Sequence, residues 1–259
     1  MKIKITKANA NGNSFIIINS LKNNDTFINN KHKIIIDICK KHNTDGFIIL
    51  DNQEIITMDY YNNDGSWETL CVNGIICSSA FLNNQVSIKK ILMKCGDGIH
   101  EISKINNQYK VSMPNPKYKS KELQVAGKKG FYIDSGAKHF VIEQKKTWPD
   151  DLKLTETCKK IRYNKALFPY GINVNFFKIK NENTIEVKTY EKGIESLMKS
   201  CSSGSFACAY HYFKKNLNIK DITIINQGGS YLCSFNINNG NNYIKSSGII
   251  EYEKFYQIY

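Results

Sequence analysis

Arginine is almost missing. Arg162 is the only one among the 36 Lys and Arg residues of this 259-residue chain, so lysine carries the formal charge of +13. That weighs against nucleic acid as the main partner, because bidentate contacts to bases and phosphates are made best by the guanidinium fork. The lysines are also scattered, with no run of the kind that forms a basic arm. What they leave is a diffuse positive field that favours anionic small molecules. The joint abundance of lysine, asparagine and isoleucine fits an AT-rich coding sequence. Long apolar runs are missing as well. Stretches such as Phe15 to Ile18 and Ile34 to Ile36 fall far short of the roughly 20 residues that span a bilayer. The opening Met-Lys-Ile-Lys-Ile-Thr-Lys alternates like a strand and has no apolar signal core. A cytoplasmic protein with no membrane partner is the expectation.

Apolar residues at 41% and aromatics at 12% are enough to bury a sizeable core. The eight cysteines (39, 71, 77, 95, 158, 201, 208 and 233) would suit a disulfide framework only in a short secreted chain. In a reducing compartment most of them read as small buried hydrophobes.

Strand patterns at Lys2–Ile5 and Phe15–Asn19 flank a Gly-Asn turn, and Asp25–His42 carries helical spacing. Strands at 47–50 and 55–60 precede a turn-rich Asn62-Asn63-Asp64-Gly65-Ser66, then a helix over 73–82 closed by Asn83-Asn84. Met113-Pro114-Asn115-Pro116-Lys117 holds two of only four prolines and marks a linker. The second half repeats the plan: strands at 131–134 and 140–143, a helix over 152–162, strands at 173–179 and 184–189, and a helix over 205–215. Alternating strands and helices in both halves predict an α/β or α+β chain.

The repeat carries the chemistry. Cys71-Val72-Asn73-Gly74 and Cys201-Ser202-Ser203-Gly204 are both Cys-x-x-Gly, and each opens an apolar helix with a further cysteine on it, Cys77 or Cys208. The first amides of a helix have no internal partner. They favour negative charge, so they lower a thiol's pKa and can hold a carboxylate. Two such sites turned on one substrate suit proton removal from one face of a carbon beside a carboxylate and proton return to the other. That inverts the stereocentre. A Cys-x-x-Gly alone is a weak signal, and most cysteines are packing residues; Cys77 and Cys208 read as core. Zinc held by cysteines 71, 77, 201 and 208 is disfavoured, since five and six residues intervene within the pairs instead of two to four.

These residues resemble the diaminopimelate epimerase family over nearly the whole chain. Asn11-Gly12-Asn13-Ser14-Phe15 is similar to its Gly-Asn-Asp-Phe signature, and Asp45-Gly46 to its Asp-Gly before a strand. Tyr61 to Ser66 with Cys71 to Gly74 resembles the first cysteine signature, and Tyr190-Glu191-Lys192-Gly193 with Cys201 to Gly204 the second. Ser135 to Val141, Asn173 to Phe176, Met113 to Pro116 and Gln227-Gly228-Gly229 match further motifs. The resemblance implies two pseudo-symmetric domains, each a mixed sheet curled around a central helix. They would be residues 1–116 plus about 248–259, carrying Cys71, and residues 117–247, carrying Cys201. It implies an isomerase of lysine biosynthesis that needs no cofactor and no metal, takes a small amino-acid substrate, and is compatible with a homodimer. Cys71 and Cys201 would be acid and base, with His139 and Glu191 setting their protonation, one for each thiol. An imidazole beside a thiol can take or share its proton. The amides of Val72, Asn73, Ser202 and Ser203 would bind the α-carboxylate, and Asn13, Asn62, Asn173 and Lys192 would line the rest of the pocket.

The departures cluster at the recognition end. Val72 and Ser202 replace glycines, Ala137-Lys138 replaces Asn-Pro before the histidine, and Lys192 and Ile76 stand where the family has arginine. The stretch from Lys192 to Cys201 is one residue longer than the family pattern. Lysine cannot reproduce a bidentate carboxylate grip. The expected reaction is LL- to meso-diaminopimelate; the alternatives are racemisation of another amino acid through an altered distal pocket, or an inactive binding paralogue. A non-racemising isomerase of the phenazine-biosynthesis type, which lacks the cysteine pair, is disfavoured by Cys71 and Cys201.

Overall fold

The computed structural model describes residues 2–21, 25–52, 54–167, 171–236 and 240–258. It divides into two compact units, Met1–Val111 with Ser246–Tyr259, and Ser112–Lys245. The first begins with β1 (Lys2–Ala10), β2 (Asn13–Asn19), α1 (Asp25–His42), β3 (Gly46–Asp51), β4 (Ile56–Asn62) and β5 (Trp67–Glu68). It continues with α2 (Val72–Gln85), β6 (Lys90–Cys95), β7 (Gly98–Ile105) and β8 (Gln108–Met113). The second holds β9 (Lys117–Tyr118), β10 (Leu123–Val125), β11 (Lys128–Asp134), β12 (Lys138–Glu143), α3 (Asp151–Arg162), β13 (Asn173–Asn181), β14 (Thr184–Glu191) and β15 (Ser196–Met198). It ends with α4 (Ser202–Lys215), β16 (Asp221–Asn226), β17 (Gly229–Ser234) and β18 (Asn242–Ser246), after which β19 (Ile249–Gln257) pairs antiparallel with β1.

The duplication read from two tetrapeptides extends through the whole strand plan. In the first unit β1–β2 is antiparallel, β2–β3 parallel, β3–β4 and β4–β5 antiparallel, β4–β6 parallel, and β6–β7 and β7–β8 antiparallel. The second unit gives the same series from β11–β12 to β17–β18. In both, the parallel pairs are those whose connection contains a helix, as a parallel crossover requires.

Each unit has one outer and one central helix. On α1, Phe27, Ile34, Ile35, Ile38 and Cys39 form an apolar stripe that packs on Ile16, Ile18, Phe47 and Ile49 of the sheet. Asp25 in its first turn and Lys40, Lys41 and His42 in its last complement the helix dipole. On α3, Leu154, Cys158 and Ile161 do the same against Phe140, Ile142, Val174 and Phe176. By contrast every residue of α2 from Val72 to Leu82 is buried, and α4 is buried over most of its length. A helix enclosed on all sides is the centre around which its own sheet curls. Among the described residues no helix is long and apolar enough to cross a membrane.

Two helix boundaries differ from expectation by three residues. The second central helix starts at Ser202, not Ser205, and the first runs from Val72 to Gln85 instead of ending near Leu82. Ser-Ser-Gly-Ser has turn chemistry, but Gly204 in the opening turn of α4 lies against Asn175 of β13 and Thr189 of β14, with no room for a side chain. Tertiary packing overrides propensity there.

Candidate active site

The first unit gathers its expected residues at one end of its sheet. The β1–β2 hairpin turns on Asn11 and Gly12, both with positive φ (51° and 78°), the conformation an Asn-Gly turn supplies. This sets Asn13 at the start of β2. Next to it, the backbone N–H and the hydroxyl of Ser14 both donate to Asp45 Oδ2, at 2.8 and 3.0 Å. Phe15, Gly46 and Asn62 stand side by side across β2, β3 and β4. Asn62 accepts from the Tyr60 hydroxyl at 2.8 Å and donates to Ser66 Oγ at 3.0 Å. Cys71 is the N-cap of α2 in extended backbone, and its half-buried sulfur accepts from the Gly74 N–H at 3.4 Å. One residue into the helix from Val72, the buried Asn73 donates to Asn13 Oδ1 at 3.3 Å. Cys71, Val72, Asn73 and Asn13 are therefore neighbours in this unit, while Asn62 closes the adjoining strand end on β4.

The second unit repeats the arrangement with more polar detail. His139, Asn173 and the end of β14 stand side by side across β12, β13 and β14. Cys201 is the N-cap of α4 in the same extended conformation as Cys71. Its sulfur lies 3.6 Å from Ser203 Oγ, which is 3.1 Å from His139 Nε2. His139 has no exposed surface, and its Nδ1 lies 3.0 Å from Asn175 Nδ2. The Ser135 hydroxyl donates to the Ser203 carbonyl at 2.9 Å and fixes the helix start, whose first residue, Ser202, is buried. The Lys192 amide donates to Asn173 Oδ1 at 2.8 Å, while Lys192 itself is exposed.

Charge at Cys201 does not follow the simple helix-terminus expectation. Burial pushes its thiol up to about 12, and the nearby Glu191 carboxylate adds to the rise. The amides of Gly204 and Ser203 and the Ser203 hydroxyl pull the other way and lose. A helix start lowers a thiol's pKa when water can reach it; here desolvation dominates. His139 is driven down to about 3 by burial, so it is a neutral imidazole at physiological pH and does not take the thiol's proton. Glu191 and His139 both belong to the unit that holds Cys201. Cys77 and Cys208 are fully buried core residues whose thiols burial holds well above the usual range.

The two Cys-x-x-Gly glycines serve different needs. A Cβ on Gly204 would collide with Asn175 Oδ1 and lie 3.1 Å from Thr189 Oγ1, whereas one on Gly74 would meet first the movable Ile48 Cδ1, at 3.2 Å. Gly204→Ala should therefore force α4 off β13, destabilising the protein by about 1–3 kcal/mol, while Gly74→Ala should stay under about 1 kcal/mol. Urea unfolding of the two variants checks this; equal midpoints would overturn it.

Sequence reasoning missed two features. Asn175, two residues past Asn173 in an apolar strand, is fully buried and engages His139; a polar residue alternating within an apolar run was the available signal. The long stretch after Lys192 contains Glu195 in left-handed backbone (φ 55°), held by Arg162 at 3.1 and 3.2 Å and by the Gly193 amide at 3.0 Å. The single arginine thus anchors this turn. Elsewhere, Cys95, Asp97 and His100 place ligand-type atoms within 4.8 Å of one another, where the His100–Asp97 contact at 3.0 Å braces the β6–β7 turn.

A model of the diaminopimelate epimerase family matches residues 131–248. Curated relatives match far more of the chain. The diaminopimelate epimerase of Methanocella arvoryzae is 30% identical over 259 residues, covering 90% of each chain. That of Aquifex aeolicus is 27% identical over 245 residues, covering 87% of each. Among solved structures, a phenazine biosynthesis protein of Bacillus anthracis superimposes with a TM-score of 0.70 at 12% identity over the full length of both chains, a likeness of fold alone.

Proposed function

Since the chain belongs to the diaminopimelate epimerase family, and is by that membership an isomerase of the epimerase and racemase kind, we propose that it inverts the α-carbon of an amino acid by a two-thiol proton transfer. One thiolate, Cys71 or Cys201, removes the α-proton from one face. The other cysteine, as thiol, protonates the opposite face. The observation that carries this reading is the repeated N-cap: each central helix begins on a cysteine in the same extended conformation. In both helices the amides that follow, of Val72 and Asn73 and of Ser202 and Ser203, have the orientation that holds a carboxylate. As the α-proton leaves, negative charge spreads onto the carboxylate oxygens, where these amides hold it, so no cofactor is called for. Asn13 and Asn62 in the Cys71 unit, and Asn173 and Lys192 in the Cys201 unit, are the residues assigned to the remaining substrate atoms.

Diaminopimelate is the substrate this reading puts first. A second substrate is favoured by a specific observation: Ala137 and Lys192 offer neither a side-chain amide nor a guanidinium, and the Lys192 amide is engaged with Asn173. A polar pocket discriminates sharply between partners that do and do not satisfy it, so such changes at one end alter specificity first. Proton NMR in heavy water tests both readings. Reduced protein is mixed with LL-diaminopimelate and, separately, with each common L-amino acid, and the α-proton signal and product handedness are followed. Exchange with inversion of diaminopimelate is the expected result. Inversion of a different amino acid alone would transfer the assignment to a racemase of that substrate, and exchange with none would overturn the enzymatic proposal.

A further inference from the structure

The hydrogen-bond pattern behind Cys201 has a fixed direction. Asn175 Nδ2 lies 3.3 Å from the Asn173 carbonyl, which can only accept, and Asn175 Oδ1 receives the Thr189 hydroxyl at 2.9 Å. The amide is therefore oriented with its NH2 toward His139, and Nδ1 of His139, 3.0 Å away, must be the acceptor. A neutral imidazole with an unprotonated Nδ1 carries its hydrogen on Nε2. That hydrogen is donated to Ser203 Oγ at 3.1 Å, leaving the serine's own hydrogen to point at Cys201 Sγ, 3.6 Å away.

We propose that Thr189, Asn175, His139 and Ser203 form a one-way chain of donors that ends on Cys201 and stabilises its thiolate, making Asn175 and Ser203 positioning residues for proton transfer. The inference rests on the two-thiol reading for its purpose, but not for its geometry. Thr189, Asn175 and His139 are buried and Ser203 is half-buried, and charge-assisted bonds to a sulfur anion gain most where water is excluded. The chain opposes two influences that favour the neutral thiol, desolvation and the Glu191 carboxylate on β14. The other titratable groups facing the sulfur are His139 on β12, neutral throughout, and Cys208 two turns along α4, itself held protonated by burial. His139 thereby acts as a fixed dipole, where an acceptor would have raised the thiol further.

Two measurements on the unliganded protein test this without turnover, so failure of inversion chemistry and failure of the chain remain distinguishable. The first is the His139 tautomer, read by long-range proton–nitrogen NMR of the unmodified protein from pH 6 to 8.5. A protonated Nε2 with a bare Nδ1 across that range is expected; a protonated Nδ1, or an imidazolium at pH 6, would overturn the proposal. The second is the alkylation rate of Cys201 at pH 8 in a Cys71→Ser background, followed by mass spectrometry. Adding Ser203→Ala should slow it about tenfold, one pKa unit of lost thiolate. Adding Ser203→Thr instead, which keeps the hydroxyl, should leave it within about twofold. Equal rates for Ala and Ser at position 203 would overturn the chain, as would a Thr variant as slow as Ala.

Discussion

Cys71→Ser or Cys201→Ser should stop inversion while leaving hydrogen exchange at a single configuration. A serine hydroxyl is not ionised near neutral pH, and losing one positioned acid or base costs about 10²–10⁴-fold; the expected fall in inversion rate lies at the upper end, at least about 10³-fold. The surviving thiol still reaches the α-proton on its own side. It removes that proton, exchanges it with solvent and returns it to the same face. Cys71→Ser should then wash deuterium into one stereoisomer only, and Cys201→Ser into the other. The pH dependence separates the two further. In Cys71→Ser the active form is the Cys201 thiolate, and that thiol is pushed up to about 12 in the unliganded protein. Its exchange rate, measured as kcat/KM, should rise about tenfold per pH unit from pH 6.5 to 8.5 with no plateau. Proton NMR in heavy water reads the site and the rate together. Unchanged inversion in either variant, or exchange of both isomers by one of them, would sink the two-thiol mechanism.

What could be read in the sequence depended on whether a feature was local. The amphipathic α1 (Asp25–His42) was legible at both ends because its apolar stripe, its acidic first turn and its basic last turn all lie within one segment. Cys71 and Cys201 stood out because a short duplicated pattern survives without context. The opening of α4 was read three residues late, since what seats Ser202 to Gly204 in a helix is the buried pair Asn175 and Thr189 on other elements. The same holds for charge. A helix start is visible in sequence, and its pull on a thiol can be anticipated, but the desolvation that outweighs it at Cys201 arises only from burial in the folded chain. His139 was found through its motif, while its neutral state and its route to the thiol through the Ser203 hydroxyl depend on burial and on the orientation of Asn175.

Alkali should unfold this protein steeply, near pH 10, because so many thiols are buried uncharged. Burial raises Cys39 to about 11 and both Cys158 and Cys201 to about 12, and carries Cys77, Cys95, Cys208 and Cys233 well above their ordinary range. A raised folded value means that the stability contribution is complete below the unfolded thiol's pKa, near 9, and is lost as pH rises toward the folded value. At pH 10 each such thiol costs between about 1 and 2 kcal/mol, because the unfolded chain releases a proton that the folded chain keeps. Cys158, Cys201, Cys208 and Cys233 belong to the second unit, and Cys39, Cys77 and Cys95 to the first. The losses are then about 6 and about 4 kcal/mol, set against stabilities of about 5–15 kcal/mol typical of a domain. The second unit should give way first. Urea unfolding at pH 7.5, 8.5 and 9.5 under reductant, followed by circular dichroism and by the fluorescence of Trp148 in that unit, measures the effect. The midpoint should fall little between the first two values and sharply between the last two. A midpoint at pH 9.5 equal to that at pH 7.5 would mean that these thiols ionise in the folded chain, and so that water reaches them where the packing says it does not.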